Sequence, residues 1–295
     1  MTPAPAGADL LVCTEKEQAL RRTIATWPAL LVAYSGGVDS AYLGWAATQV
    51  LGDRALCVTA DSASYPERHR ALAIQIAHDF GFQHEIIRTN EMSRPEYRAN
   101  PANRCYYCKH ELYTELSAIA RARGIPAIAD GSNADDRGDY RPGRQAAREF
   151  GVLSPLDMVG LSKAEIRELS RRAGLPTWDE PASACLSSRI PYFTEVTDEK
   201  LRMIEQAESV LRDLGFRVCR VRHHALPAAG DGASDRHDAL ARLEIGRDEL
   251  ARALDPEISE TIDRALRAIG YQHVTIDLRG YRTGSLNDAL RLRPI

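Results

Sequence analysis

The stretch Leu30-Leu31-Val32-Ala33-Tyr34-Ser35-Gly36-Gly37-Val38-Asp39-Ser40 constrains the fold more than any other part of the chain. A short apolar run passes through a Ser-Gly-Gly turn into a helix that begins at Ser40. Such a turn gathers backbone N–H groups at a helix N-terminus, where a phosphate can be held. Gly36 and Gly37 let the backbone approach an anion with no side chain in the way. Ser35 and Ser40 add hydroxyl donors, and Asp39 can face a magnesium ion. No Gly-Lys-Ser/Thr follows, so the lysine that grips the outer phosphates in Walker-type loops is missing. A tight turn with no ligand is the alternative, and a bare Gly-Gly would favour it. The full Ser-Gly-Gly-Val-Asp-Ser string after an apolar strand favours phosphate binding.

Alternation of strand and helix extends this unit along the first half of the chain. Thr14-Glu15-Lys16-Glu17 reads as a capping box that opens a helix to about Trp27. Strands are expected at 29–34, 55–60, 83–88 and 127–130, with helices at 40–51, 66–80 and 106–123. Short apolar strands between amphipathic helices indicate an α/β domain with a parallel sheet covered on both faces. Ligands in such sheets bind beyond the strand C-termini. The loops there are Ser35–Ser40, Asp61–Pro66 and Gly131-Ser132-Asn133-Ala134-Asp135-Asp136. A second capping box, Ser162-Lys163-Ala164-Glu165, starts a helix to about Ala173. Residues 176–194 lack periodicity and read as a long functional loop. After it come a helix at 198–214, strands at 217–222, 240–245 and 272–278, and helices near 247–269. Residues Ala225–Asp238 look like an insertion. The expectation is a domain over 1–190 and a smaller α+β domain over 191–295 that binds substrate or mediates oligomerisation.

A chain of 295 residues, 44% hydrophobic, can bury two cores. It has no apolar run of membrane length and no signal-peptide pattern at its start, so a cytoplasmic protein without membrane contact is expected. The net charge of −3 gives no global basic field for a nucleic acid. Six cysteines in such a chain are unlike structural disulfides. Cys57 and Cys219 fall inside strands, and Cys13 lies near the terminus. Cys105-Tyr106-Tyr107-Cys108 opens a helix whose dipole favours thiolate. Cys185 sits in the long loop. Three competing readings are unrelated reduced thiols, a redox pair, and a metal or iron–sulfur site with three thiolate ligands.

The first turn resembles the PP-loop of the ATP pyrophosphatases, which cleave ATP to AMP and pyrophosphate while adenylating a substrate oxygen. Further segments resemble the LarE family of sulfur transferases, and they span nearly the whole chain in order. They are Ala33–Ser40, Arg104-Cys105-Tyr106-Tyr107-Cys108-Lys109, Asp130–Asp136, Arg141-Pro142-Gly143, Leu161-Ser162-Lys163, Trp178-Asp179-Glu180-Pro181, Cys185-Leu186-Ser187-Ser188-Arg189-Ile190-Pro191-Tyr192 and Gly280-Tyr281-Arg282-Thr283-Gly284-Ser285. The resemblance implies ATP, magnesium and a homo-oligomer. It also implies a pyridinium dicarboxylic acid mononucleotide whose carboxylates become thiocarboxylates. The sulfur comes either from the cysteine at 185, sacrificed in the reaction, or from a 4Fe–4S cluster on three cysteines. Thiols at Cys105, Cys108 and Cys185 favour the cluster.

On the expected strand at 217–222, Arg220 and Arg222 share a face with Cα atoms about 6.5 Å apart by strand rise. Two guanidinium forks at that spacing can clamp a phosphate, and the resemblance implies a substrate phosphate there. A solvated edge strand is the plain alternative. Glu208 and Glu244 can orient these arginines or contact the ribose. Arg189 can bind the carboxylate or developing oxyanion near Cys185. Lys163, placed against the dipole at a helix N-terminus, fits nucleotide phosphates, and Gly131, Asn133 and Asp135 lie in a nucleotide-side loop. The rival activities are tRNA thiolation, which needs a basic RNA-binding surface, and amide-forming ligation, which leaves the three cysteines without a role. A nucleotide- or cluster-binding sensor would bind ATP without releasing pyrophosphate.

Overall fold

The computed structural model describes residues 7–138, 142–181, 184–226, 239–282 and 284–285. The chain forms two compact units, one of residues 1–91 and 103–183, the other of 92–102 and 184–295.

The first unit is an α/β layer structure. Strands β1 (Leu30–Ala33), β2 (Ala55–Asp61), β3 (Gln83–Arg88) and β4 (Ala127–Ala129) form a parallel sheet in the order β3-β2-β1-β4. The order reverses between β1 and β4, and a crevice opens at such a switch point beyond the strand ends. Alternate residues of β1 face opposite layers. Leu30 and Val32 pack with helices α1 (Gly7–Ala25), α2 (Val38–Leu51) and α3 (Glu67–Asp79). Leu31 and Ala33 pack on the other side against Tyr113, Leu116 and Ala146. Each fully buried Leu or Ile there contributes about 1.5–3 kcal/mol, so packing rather than helix propensity holds the layers.

The first helix begins at Gly7, not at the expected cap Thr14. Burial decides this: Cys13 is 3% exposed and joins the core with Leu20 and Ile24, so the helix runs through Thr14. Cys13 is therefore a core residue rather than part of a loose end. Glu17 pairs with Arg21 at 3.1 Å instead of capping. The second capping box forms fully, with the Glu165 carboxylate accepting from Ser162 N at 2.8 Å and Ser162 Oγ accepting from Glu165 N at 3.3 Å. Between α3 and that box lie α4 (Pro95–Arg98, in the second unit), α5 (Arg104–Ala122), α6 (Gly143–Glu149) and α7 (Pro155–Met158). Helix α8 (Lys163–Arg172) follows the box.

In the second unit, β5 (Cys219–Ala225), β6 (Ala239–Ile245) and β7 (His273–Ile276) form a mixed sheet, antiparallel between β5 and β6 and parallel between β6 and β7. Helix α9 (Asp198–Asp213) buries Leu201, Ile204, Ala207, Glu208 and Leu211 at three- and four-residue spacing. Helices α10 (Leu250–Ala253) and α11 (Pro256–Ile269) complete it. Strand β5 starts two residues later than expected because the backbone N–H groups of Arg217 and Val218 bond the Glu249 carboxylate at 3.1 Å. It runs on to Ala225, and residues 227–238 of the expected insertion lie outside the described residues. No helix among the described residues is long and apolar enough to cross a membrane.

Candidate functional site

The first unit brings its expected nucleotide residues together. Gly37 precedes α2 in extended conformation and offers no side-chain cap, so the first-turn N–H groups are left to another acceptor. The turn is held from within. Ser40 Oγ accepts from Ser35 N at 3.1 Å, lies 3.1 Å from Ser35 Oγ and donates to Gly37 O at 3.1 Å. Tyr65 donates its hydroxyl to Ser35 O at 3.0 Å. Gly36 sits at φ +66°, and a Cβ there would lie 2.8 Å from Ala73 Cβ. Only glycine meets both conditions.

The loop after β4 closes against this turn. A Cβ on Gly131 would lie 2.9 Å from Ser40 N, so glycine is what allows the approach. Asn133 donates its amide to Asp39 Oδ1 at 3.3 Å, and its own Oδ1 accepts from Asp135 N at 3.0 Å. Asp135 accepts from Lys163 N at 2.8 Å, and the Lys163 ammonium pairs with Asp39 Oδ2. Asp39 thus explains the cation at the start of α8. No local pattern in the sequence signals what fixes the loop. Buried Asp130 accepts from Tyr113 Oη at 3.1 Å, Ser132 N at 3.1 Å, Ser132 Oγ at 3.0 Å and Ser154 Oγ at 2.8 Å.

Cys105 and Cys108 stand one turn apart at the start of α5, Cys105 exposed and Cys108 half-buried. Lys109 follows them, its ammonium 5.5 Å from the centre of the Tyr113 ring. The neighbouring Tyr113, Asp130 and Cys108 hold it in the charged form despite burial. The other cysteines of the two cores are chemically quiet. Burial pushes the thiol of Cys57 up to about 12 and that of Cys219 to about 11. Among the described residues, no group of three or more His, Cys, Asp or Glu side chains forms a preformed metal centre within either unit.

Cys185 lies in the second unit, half-buried, at the head of a short 3₁₀ turn over Leu186–Arg189. Arg189 is 1% exposed. It donates Nε and Nη2 to the two oxygens of Glu208 at 2.7 and 3.0 Å. Its Nη1 reaches Ala184 O at 2.7 Å, Cys185 O at 2.9 Å and Ser188 Oγ at 2.9 Å. Arg189, expected on the substrate carboxylate or a developing oxyanion, bonds Glu208 and the cysteine turn in this structure. Glu208 also takes Arg212 at 2.8 Å and the N–H of Val221 at 3.2 Å, which faces outward on the edge strand β5. Burial raises the Glu208 carboxyl, but Arg189, Arg220 and Arg212 outweigh it and hold it near about 2.

The β5–β6 register sets Arg220 opposite Glu244 and Arg222 opposite Arg242 on one sheet face. Arg222 is buried. It donates Nη1 to Ser188 O at 2.7 Å, and Nη2 to Glu244 at 2.7 Å and to Ser285 Oγ at 2.8 Å. Its Nε has no partner among the described residues. Arg242 reaches Glu244 at 3.1 Å and also pairs with Asp277. Arg220 is half-buried with its guanidinium 5.3 Å from the centre of the Tyr281 ring. Ser285 went unrecognised as a site residue because its partners come from strands far away in sequence. Arg141, Ala182, Ser183 and Thr283 lie outside the described residues.

Comparison with known proteins follows this geometry. A pyridinium-3,5-bisthiocarboxylic acid mononucleotide synthase of Lactiplantibacillus plantarum is 33% identical over 260 residues, 88% of this chain and 89% of that one. The chain belongs to this enzyme family. An uncharacterized protein of Synechocystis is 42% identical over 276 residues, covering 93% of this chain and 98% of its own length. A glutamine-hydrolysing GMP synthase of Staphylococcus saprophyticus is 23% identical over 209 residues, 63% of this chain but 39% of the synthase. No family model matches the chain.

Proposed function

We propose that the chain is an ATP-dependent sulfur transferase that converts the carboxylates of a pyridinium-3,5-dicarboxylic acid mononucleotide to thiocarboxylates. The observation that carries this is the meeting of the Ser35–Ser40 turn with Gly131, Asn133 and Asp135, in a chain 33% identical to a synthase of the bisthiocarboxylate. A carboxylate oxygen is a poor leaving group; attack of the carboxylate on the α-phosphorus of ATP releases pyrophosphate, and the oxygen then departs as part of AMP. The uncapped N–H groups of α2, with Ser35 and Ser40, bind the departing pyrophosphate. The oxygen donors of Asp39 and Asn133 fit a hard divalent cation, and magnesium there would neutralise phosphate charge. Lys163 supplies a further positive charge beside the phosphates.

Arg220 and Arg222 bind the substrate phosphate, with Glu244 and Ser285 fixing Arg222. Arg189 and Glu208 set the Cys185 turn. The donor chemistry of Cys105, Cys108 and Cys185 fits iron–sulfur ligation, since these are the cysteines outside the buried cores. A 4Fe–4S cluster held by them would supply the sulfur; in its absence the sulfur of Cys185 is the source. A cytoplasmic homo-oligomer completes the proposal.

The test is product analysis with ATP, magnesium and the dicarboxylate mononucleotide. AMP and pyrophosphate should appear in step with thiocarboxylate, and ADP release or AMP formation without the mononucleotide refutes the assignment. Anaerobic addition of iron and sulfide should give absorbance near about 400 nm that Cys108→Ser removes. A colourless protein that loses the Cys185 sulfur with each turnover identifies the sacrificial route.

A further inference from the structure

We propose that Lys163 is a resident counter-ion that holds the metal position of the nucleotide site until a metal–nucleotide complex displaces it. The inference rests on the nucleotide reading above and goes beyond it. Both oxygens of Asp39 are taken, Oδ1 by the Asn133 amide and Oδ2 by the Lys163 ammonium. The base of Lys163 is fixed independently, its N–H bonded to Asp135 at 2.8 Å and its helix started by the Ser162–Glu165 box. Only its four-carbon stem is free to swing, and the side chain is 34% exposed. Asp39 follows the glycine turn directly, so its carboxylate is where a divalent cation would meet bound phosphates. A divalent cation and an ammonium cannot share one carboxylate oxygen without strong repulsion. Arrival of the metal therefore frees the ammonium, which stays tethered within the site and turns to the phosphates. The lysine opposes metal alone and favours metal with nucleotide, so the site discriminates against a bare cation.

This predicts effects of opposite sign from one substitution. Mn²⁺ followed by EPR serves as the probe, with ATP binding followed by calorimetry in the presence of Mg²⁺, both on the full chain. In Lys163→Gln, Mn²⁺ without nucleotide should bind about two- to fivefold more tightly, the value of one partly exposed ion pair. ATP should bind about tenfold or more weakly, the cost of a lost charge-assisted contact. Lys163→Arg, which keeps the charge, should keep Mn²⁺ binding weak. Mn²⁺ affinity that falls or stays level in Lys163→Gln, or rises equally in Lys163→Arg, overturns the proposal. Failure of the unaltered protein to bind ATP would instead refute the nucleotide site itself.

Discussion

Replacing Glu208 by Gln removes a single negative charge that organises the cysteine turn, and its consequence can be worked out from the contacts. Glu208 is fully buried and accepts from Arg189 twice, from Arg212 and from the Val221 backbone. Its carboxyl is held near about 2, against an ordinary value of 4.5. A native value below the unfolded one adds stability above pH 4.5, which is lost as pH falls through 2. At pH 7 this corresponds to about 3 kcal/mol. Direct removal of one partner from a buried ion pair costs about 3–5 kcal/mol, because Arg189 is left buried and uncompensated. The two routes agree on scale, and the loss is a large share of a domain's total of about 5–15 kcal/mol. Urea unfolding of the protein and of Glu208→Gln, followed at pH 7 and pH 3, reads this directly. The gap should be about 3 kcal/mol at pH 7 and shrink to about 1 kcal/mol at pH 3, where the carboxyl of the unfolded chain is already protonated while the native one is still largely ionised. Cys185 should also react faster with iodoacetamide in the variant, since Arg189 no longer fixes its carbonyl. A gap below about 1 kcal/mol at pH 7, or one equal at both pH values, refutes the role given to this charge.

Two further substitutions test the separate sites. Gly36→Ala forces a side chain into φ +66° and against Ala73 Cβ at 2.8 Å, so it should cost about 2 kcal/mol or more and abolish ATP binding, as seen by thermal melting and calorimetry. Arg220→Ala should weaken binding of the phosphorylated mononucleotide about tenfold and leave ATP affinity unchanged, and equal losses for both ligands would move the arginine away from the substrate phosphate.

What the sequence made legible was local. The parallel sheet follows from apolar runs of strand length separated by helices, and each of its strands lies within two residues of its expected place. The Ser162–Glu165 box was legible because a capping box is a four-residue code. The same code at Thr14–Glu17 misled, because burial of Cys13 lies outside the four residues that define it. Residues 92–102 join the second unit through contacts such as Tyr97 Oη to Ser187 Oγ at 2.7 Å, 90 residues apart, and no periodicity announces them. Arg189 is the sharpest case. An arginine four residues after a cysteine reads as a ligand for substrate, and only the fold shows that it also bonds Glu208 and the carbonyls of the turn.

The arginines and acids of the second unit carry one more consequence. Arg189, Arg212, Arg220, Arg222 and Arg242 gather around Glu208, Glu244 and Asp277, so five cations meet three anions. Glu208 pairs with Arg189 and Arg212, Glu244 with Arg222 and Arg242, and Asp277 with Arg242. At Arg220, burial and the neighbouring Arg189 disfavour the charged form although Glu208 partly offsets them. Under the proposed function, a phosphate dianion at this face would relieve that repulsion. A neutral nucleoside would offer no such relief. Under the proposed function, selection for a phosphorylated substrate would rest on the balance of charge across the whole cluster rather than on any single contact, with the acids holding the arginines in place.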